Sequence, residues 1–215
     1  MKTIFFFGQR WKISVILSLA LARLLAWGQP ANDNFTNRFQ LLCQPTTISP
    51  NADVTFAIAA GDMNNDGRAD VVVGNLGGRI RLYLNNGTLS PFAGVATLNI
   101  SADTSNTWAL AIGDVNNDGW RDVIAGNMNG QRSRIYTNNR TANPFNGVAG
   151  RDLTTSPYST FAVALADVNG DTNLDLIMGN GSGGTAKSLL LLNNGSADPF
   201  SGVTPIIINT NSQDT

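Results

Sequence analysis

The 215-residue sequence contains no histidine, no glutamate and a single cysteine, Cys43. The absence of histidine excludes an imidazole general base, a Ser-His-Asp or Cys-His nucleophile system, and histidine-liganded zinc or haem. One cysteine cannot form an internal disulfide, a CxxC redox pair or a thiolate zinc cluster. Without glutamate, and with only three lysines, the chain lacks strong helix formers, whereas it has 22 glycines. The composition therefore predicts short strands joined by many turns.

The first 28 residues have the pattern of a secretory signal. Lys2, Arg10 and Lys12 precede an apolar run of ten residues, 13–22. Such a run is too short to cross a hydrocarbon core, which needs about 20 residues. We expect residues 1–28 to be cleaved after export, and the alternative is an anchor that stays attached. The remaining chain has ten basic and fifteen acidic residues, a net charge of −5, which argues against nucleic acid or an anionic membrane as a partner.

The rest of the chain contains three tandem repeats. In each repeat a segment of alternating small and apolar residues leads into an aspartate-rich loop. The loops are 52 and then 53 residues apart, and they begin at Asp62, Asp114 and Asp167. Gly-Asn, Asn-Asn and Pro-Phe pairs recur in register after each loop. Matches at so many separate offsets indicate a tandem array.

Each repeat is predicted to form four short strands. In the first repeat they cover 55–61, 70–74, 79–84 and about 95–100. Helical periodicity is absent from all three repeats. Four strands in a repeat of this length match one blade of a β-propeller, which takes roughly 40 to 50 residues. The sequence therefore predicts an all-β fold, a propeller-type array of three four-stranded blades.

We expect blade 1 at 51–103, blade 2 at 104–156 and blade 3 at 157–208, followed by a tail at 209–215. The segment 29–50 is a possible outer strand of an incomplete blade. Closed propellers have about 4 to 8 blades, so three blades predict a partial, open propeller. Either the chain is a fragment, or it closes by self-association with another copy.

The loops predict three metal sites. Aspartate or asparagine side chains occupy loop positions 1, 3, 5 and 9, and position 7 would contribute a backbone carbonyl. The predicted ligands are Asp62, Asn64, Asp66, Arg68 and Asp70 in the first loop, Asp114, Asn116, Asp118, Trp120 and Asp122 in the second, and Asp167, Asn169, Asp171, Asn173 and Asp175 in the third. All-oxygen ligands favour calcium over zinc or copper, with magnesium as second choice. We expect one calcium ion in each repeat, three in total.

The third loop departs from the other two. It has Gly170 at position 4 and Thr172 at position 6, where the first two loops have glycine at position 6. A non-glycine residue must then accept the sharp turn. The loops also differ from an EF-hand, because strands flank them and no glutamate can close the site at position 12.

The pattern Ala-x-Gly-Asp-x-Asn-x-Asp-Gly-x-x-Asp-Val-x-x-Gly-Asn at Ala59–Asn75 resembles the FG-GAP/VCBS repeat family. The resemblance covers roughly residues 50–208. It implies the blades of an integrin-alpha-like β-propeller, calcium in the loop between the first and second strands, and an extracellular adhesion context. It implies no particular ligand.

We therefore expect a secreted, non-enzymatic calcium-binding module for adhesion or for recognition of an extracellular protein or glycan. The alternative is a carbohydrate-binding, lectin-like or polysaccharide-lyase-associated propeller, with Trp108, Trp120 and Tyr158 as candidate platforms for sugar rings. Trp108 aligns with Phe56 and Phe161, which predicts that Trp108 belongs to the core, and Trp120 is then the aromatic residue expected at the surface.

The third predicted strand of the first two repeats carries arginines at matching positions. These are Arg79 and Arg81 in the first repeat and Arg132 and Arg134 in the second. The third repeat has Lys187 in the same region. We expect these side chains to form the solvent face of the strand.

Overall fold

The structure is a computed structural model that describes residue 48, residues 52–181 and residues 187–208. These residues belong to the compact unit Thr46–Thr215. The expected signal at 1–28, the segment 29–50 except residue 48, and the tail 209–215 lie outside the described residues, so those predictions stay untested. Within the described residues, no helix is long and apolar enough to cross a membrane.

The described residues form twelve strands in three four-stranded antiparallel sheets, one for each repeat. Each sheet is a meander in which strands pair in chain order. The first contains β1 (Thr55–Gly61), β2 (Asp70–Asn75), β3 (Arg81–Tyr83) and β4 (Leu98–Asn99); the second β5 (Thr107–Gly113), β6 (Asp122–Asn127), β7 (Arg134–Tyr136) and β8 (Arg151–Asp152); the third β9 (Ser159–Ala166), β10 (Asp175–Gly181), β11 (Leu189–Leu191) and β12 (Ile206–Ile207). The predicted all-β array of three blades is confirmed.

The inner strands match the predicted ranges better than the outer ones. β1 has the predicted bounds, whereas β3 and β4 have only three and two residues. Only Arg81 and Leu82 of β3 pair with β4. Such short edge strands offer few unpaired backbone groups to another chain.

Apolar side chains hold neighbouring sheets together. Between the first two sheets, Met63, Val72 and Leu82 pack with Val123 and Tyr136, and all five side chains are buried. A second cluster joins the second and third sheets in the same manner. Burying a side chain of this size stabilises a fold by about 1.5–3 kcal/mol. The apolar runs in β2 and β6 are explained by burial on both faces, since every residue of these two strands is buried.

The inner strands approach each other so closely that glycine is required. A Cβ atom on Gly74 would lie 2.6 Å from Cγ2 of Thr107, and one on Gly126 would lie 2.9 Å from Cγ2 of Thr160. Both glycines belong to the Gly-Asn pairs that recur along the sequence. The recurring glycine therefore sets the distance between one sheet and the next.

Three aromatic residues lie at irregularities of the inner strands. The pairing register shifts around Phe56, Trp108 and Phe161, so each lies at a bulge. Phe56 is 43% and Phe161 39% exposed. Trp108 stacks on Phe56 with ring centroids 4.2 Å apart and meets Phe161 edge-on at 5.9 Å. Trp108 is half-buried and lies outside the buried clusters of the described residues, so the prediction that it belongs to the core is wrong.

A buried asparagine at the end of the third strand links each later repeat to the one before it. Nδ2 of Asn138 donates to the carbonyl oxygens of Met63 at 2.9 Å and Arg121 at 3.0 Å. Nδ2 of Asn193 donates to the carbonyl of Val115 at 2.7 Å. The equivalent Asn85 donates only within its own repeat, to Ala69 at 3.1 Å. Each of these asparagines is the first residue of a recurring Asn-Asn pair.

We predict that Asn138→Ala lowers the free energy of unfolding by about 2–3 kcal/mol, because it leaves the buried carbonyl of Met63 without a donor. Asn85→Ala is the matched control and should cost about 1 kcal/mol, since it removes no bond between repeats. Urea denaturation of both variants measures the difference. Equal losses would show that the bond between repeats contributes nothing.

Candidate metal centres

The first aspartate-rich loop folds around its own backbone amides. The two carboxylate oxygens of Asp62 accept hydrogen bonds from the backbone N–H groups of Asp66 at 3.1 Å and Gly67 at 2.8 Å. Oδ1 of Asn64 also accepts from the N–H of Asp66, at 3.3 Å. Oδ1 of Asp66 accepts from the N–H of Arg68 at 3.0 Å. Positions 1, 3 and 5 therefore turn side-chain oxygens towards the inside of the loop.

The other two loops repeat these bonds position by position. Asp114 accepts from the N–H of Gly119, and Asp167 from the N–H of Thr172, both at 2.8 Å. The position-3 oxygens accept from position 5 at 3.2 and 3.0 Å, and the position-5 oxygens accept from position 7 at 2.9 and 2.8 Å. The residues concerned are Asn116, Asp118 and Trp120 in the second loop and Asn169, Asp171 and Asn173 in the third. The repetition shows that all three loops have one conformation.

The position-9 aspartate is fully buried in every repeat. Oδ2 of Asp70 accepts from the N–H of Met63 at 2.9 Å, and Oδ1 accepts from the N–H of Asn85 at 2.8 Å. Asp122 and Asp175 make the same pair of bonds, at 3.2 and 2.8 Å and at 3.0 and 2.8 Å. All three side chains have no exposed area. This carboxylate therefore fastens the loop to the end of the third strand.

Burial makes the ionised forms of Asp70 and Asp122 costly. Burial raises the pKa of Asp122 to about 7, against the opposing effect of its two backbone N–H bonds, and the charges of Asp118 and Asp114 raise it further. Burial likewise raises the pKa of Asp70. Because its folded-state pKa lies above the unfolded value, Asp122 makes the fold less stable as the pH rises from about 4 towards 7, and Asp70 acts in the same direction. A nearby positive charge would reverse that effect.

The loop carboxylates have the donor chemistry of a calcium site, but within the described residues they do not converge on a common point. In the described ranges 52–181 and 187–208, no three acidic side chains form a cluster that could hold a metal ion. Asp66 pairs instead with the guanidinium of Arg68 at 2.6 Å and accepts from the amide of Asn64 at 2.9 Å. An ion bound among positions 1, 3 and 5 would replace these contacts. The all-oxygen donor set fits a hard cation such as calcium.

Comparison with known protein families agrees with this geometry. The FG-GAP-like repeat model matches residues 62–125 and 114–178, which together cover more than half of the chain. The chain belongs to the FG-GAP-like repeat family. Each matched segment begins at the first aspartate of a loop and extends into the strands of the following repeat.

Integrin alpha chains are among the similar proteins. The chain is 31% identical to mouse (Mus musculus) integrin alpha-7 over 83 residues, which covers 33% of this chain and 7% of that protein. Human integrin alpha-7 is 30% identical over the same length. Integrin alpha-3 of Cricetulus griseus is 27% identical over 144 residues, 58% of this chain and 14% of that protein. The chain thus spans only a small part of the length of these relatives.

The third FG-GAP loop keeps the shared conformation although its sequence differs. Position 6 has a positive φ in all three loops, 82° at Gly67, 83° at Gly119 and 72° at Thr172. The expectation that Thr172 accepts the strained turn is confirmed. Position 4 also has a positive φ, 81° at Gly170 and 55° and 57° at the asparagines of the first two loops. The third loop therefore has its glycine at the other left-handed position.

Position 4 also connects neighbouring FG-GAP loops, which the sequence analysis missed. Nδ2 of Asn65 donates to the carbonyl of Gly119 at 3.0 Å, and Nδ2 of Asn117 donates to Oδ1 of Asn173 at 2.7 Å. The third loop has no side-chain amide at this position, because residue 170 is glycine. The sequence feature that could have indicated this contact is position 4, which is asparagine in the first two loops and glycine in the third.

We predict that Thr172→Gly raises the free energy of unfolding by about 1 kcal/mol. A β-branched residue at positive φ costs about 1–2 kcal/mol, and glycine removes that cost. Part of the stabilisation is lost again, because glycine gives the unfolded chain more conformational entropy. The reciprocal change Gly119→Thr should lower it by about 1–2 kcal/mol. Thermal or urea unfolding in chelator measures both. A destabilising Thr172→Gly would contradict the strain at this position.

Proposed function

We propose that this FG-GAP chain is an exported, non-enzymatic module for adhesion or ligand recognition, in which one calcium ion in each loop, three in total, stabilises the blades. The observation that carries the proposal is the recurrence of one loop conformation in three repeats, each beside a fully buried aspartate. Such a loop is more stable with a cation than without one, because the cation compensates the buried negative charge.

The residues that would hold calcium in the first loop are Asp62, Asn64, Asp66 and Asp70, with the carbonyl of Arg68. The equivalent positions would serve in the second and third loops. Calcium accepts 6–8 oxygen ligands in flexible geometry, so it tolerates a loop whose carboxylates also receive backbone hydrogen bonds. The ion would supply positive charge at the point where the loop meets the end of the third strand.

The acids outside the loops support a non-enzymatic role. Among the described residues, the four aspartates outside the loops each pair with an arginine. These are Asp53 with Arg81, Asp103 with Arg134, Asp152 with Arg132 and Arg134, and Asp198 with Arg151. A glycosidase needs two carboxyl groups facing one another across a substrate, and acids neutralised by arginine do not provide that pair.

An exposed aromatic row favours sugar binding as a second candidate function. Phe56 and Phe161 are both more than one third exposed, and Trp108 lies between them. Aromatic faces of this kind stack on the apolar face of a sugar ring. Trp120 and Tyr158 are half-buried instead, and Tyr158 packs on the cluster between the second and third sheets. The lectin-like alternative is therefore supported by the aromatic row of Phe56, Trp108 and Phe161 rather than by Trp120.

The far side of the third sheet supports self-association as part of the proposal. Val168 is 46% and Ile208 53% exposed. The equivalent Met63 and Ile100 of the first repeat are 0% and 1% exposed, because the second sheet covers them. A further sheet, from a second copy of the chain, would bury the same positions at the end of the array.

We predict that millimolar calcium raises the melting temperature relative to chelator, with a smaller rise in magnesium, and that about three calcium ions bind per chain. An extracellular-type site has a Kd of about 10⁻⁴–10⁻³ M, so tenfold excess calcium adds about 1.4 kcal/mol per site. Differential scanning fluorimetry and isothermal titration calorimetry measure both quantities.

The matched variants are Asp118→Asn and Asp103→Asn. The first keeps the acceptor for the N–H of Trp120 but removes one loop charge, so one calcium site should be lost. The second removes a charge outside the loops and should leave all three sites. An unchanged melting temperature, or no calcium binding, would overturn the calcium proposal.

A further inference from the structure

A shallow groove of about 410 Å³ runs along the boundary between the outer parts of the first and second sheets. Arg79, Asn99 and Asn146 line it, and all three residues are exposed. Ile100 and Phe145, which are 1% and 3% exposed, form its apolar floor. The groove therefore combines a cation, two amides and an apolar surface.

The next repeat contains an internal comparison for this groove. Asn99 pairs with Arg81 across β4 and β3, and Asp152 pairs with Arg134 in the same register across β8 and β7. Residue 152 is thus the counterpart of residue 99, and Arg132 is the counterpart of Arg79. The two repeats differ at this point by an aspartate in place of an asparagine.

The aspartate or asparagine at this position determines whether the neighbouring arginine has an ion-pair partner. Nη1 of Arg132 binds Oδ2 of Asp152 at 2.9 Å, and its Nε donates to the carbonyl of Thr155 at 3.1 Å. Within the described part of the chain, the side chain of Arg79 has no ion pair and no hydrogen bond. The amides of Asn99 and Asn146 have none within the same ranges. The groove therefore has an uncompensated positive charge at Arg79, where the second repeat has the internal pair of Arg132 and Asp152.

We propose that this groove binds a sugar carrying a carboxylate, the uronate unit of an acidic glycan. The guanidinium of Arg79 matches a carboxylate with two parallel N–H donors. The amides of Asn99 and Asn146 can each donate and accept, as sugar hydroxyls require. The apolar floor suits the C–H face of the ring.

A sugar fits this groove better than an extended acidic peptide. A peptide that binds beside a sheet gains most of its affinity by adding a strand to an exposed edge. The edge strand here, β4, has only two residues, Leu98–Asn99. The inference extends the proposed recognition role by naming a ligand class, and it does not depend on calcium.

The test is a titration of the full chain with D-galacturonate and D-glucuronate, monitored by NMR chemical shifts. The titration is done in chelator, so that a failure of calcium binding cannot affect the result. Neutral D-galactose and a short aspartate-containing peptide are the comparison ligands. Uronate should shift the signals of residues 99 and 146 with saturation, and galactose should bind at least tenfold more weakly. Equal binding of galactose, preferential binding of the peptide, or no saturable shift would overturn the proposal.

Asn99→Asp tests the charge difference directly. It gives Arg79 the partner that Arg132 already has and should weaken uronate binding at least tenfold. Arg132→Gln, which removes a cation outside the groove, is the control that should leave uronate binding unchanged. If Asn99→Asp folds and binds as tightly as the parent, Arg79 is not the determinant.

Discussion

Each blade is organised around one carboxylate that has no contact with solvent. Asp70, Asp122 and Asp175 each receive two backbone N–H groups, one from the loop and one from the asparagine that ends the third strand. Because a buried charge is unfavourable unless it is compensated, these bonds define where the loop and strand must lie. The raised pKa of Asp122 shows that the hydrogen bonds compensate only part of the cost of burial.

In the second and third blades, the asparagine that binds this carboxylate also contacts the preceding repeat. The N–H of Asn138 bonds to Asp122, and its side-chain amide reaches the carbonyl of Met63 in the preceding repeat. Asn65 connects the first loop to the second. A cation bound in a loop would therefore stabilise the loop, the end of the third strand and the neighbouring blade together.

Period and composition were sufficient to predict the two inner strands of each blade, since an apolar strand and an Asp-rich loop recur at fixed spacing. They did not predict the bulges at Phe56 and Phe161, because a bulge is a property of strand pairing and not of residue type. The sequence also did not reveal that the side chain of Asn138 bonds to the preceding repeat, because Asn-Asn pairs are typical of ordinary turns. The difference between Arg79 and Arg132 needed the register that aligns Asn99 with Asp152.

The most direct test of the account is the titration of the Asp122 carboxyl, followed by carbon-detected NMR with and without calcium. In chelator the account predicts that the Asp122 carboxyl has a pKa of about 7, raised by burial above the ordinary aspartate value of about 4. Calcium should move that pKa well below its value in chelator, because the ion favours the ionised form. An Asp122 that titrates near 4 in chelator, or a midpoint that calcium leaves unchanged, would contradict the claim that a buried charge makes each loop a cation site.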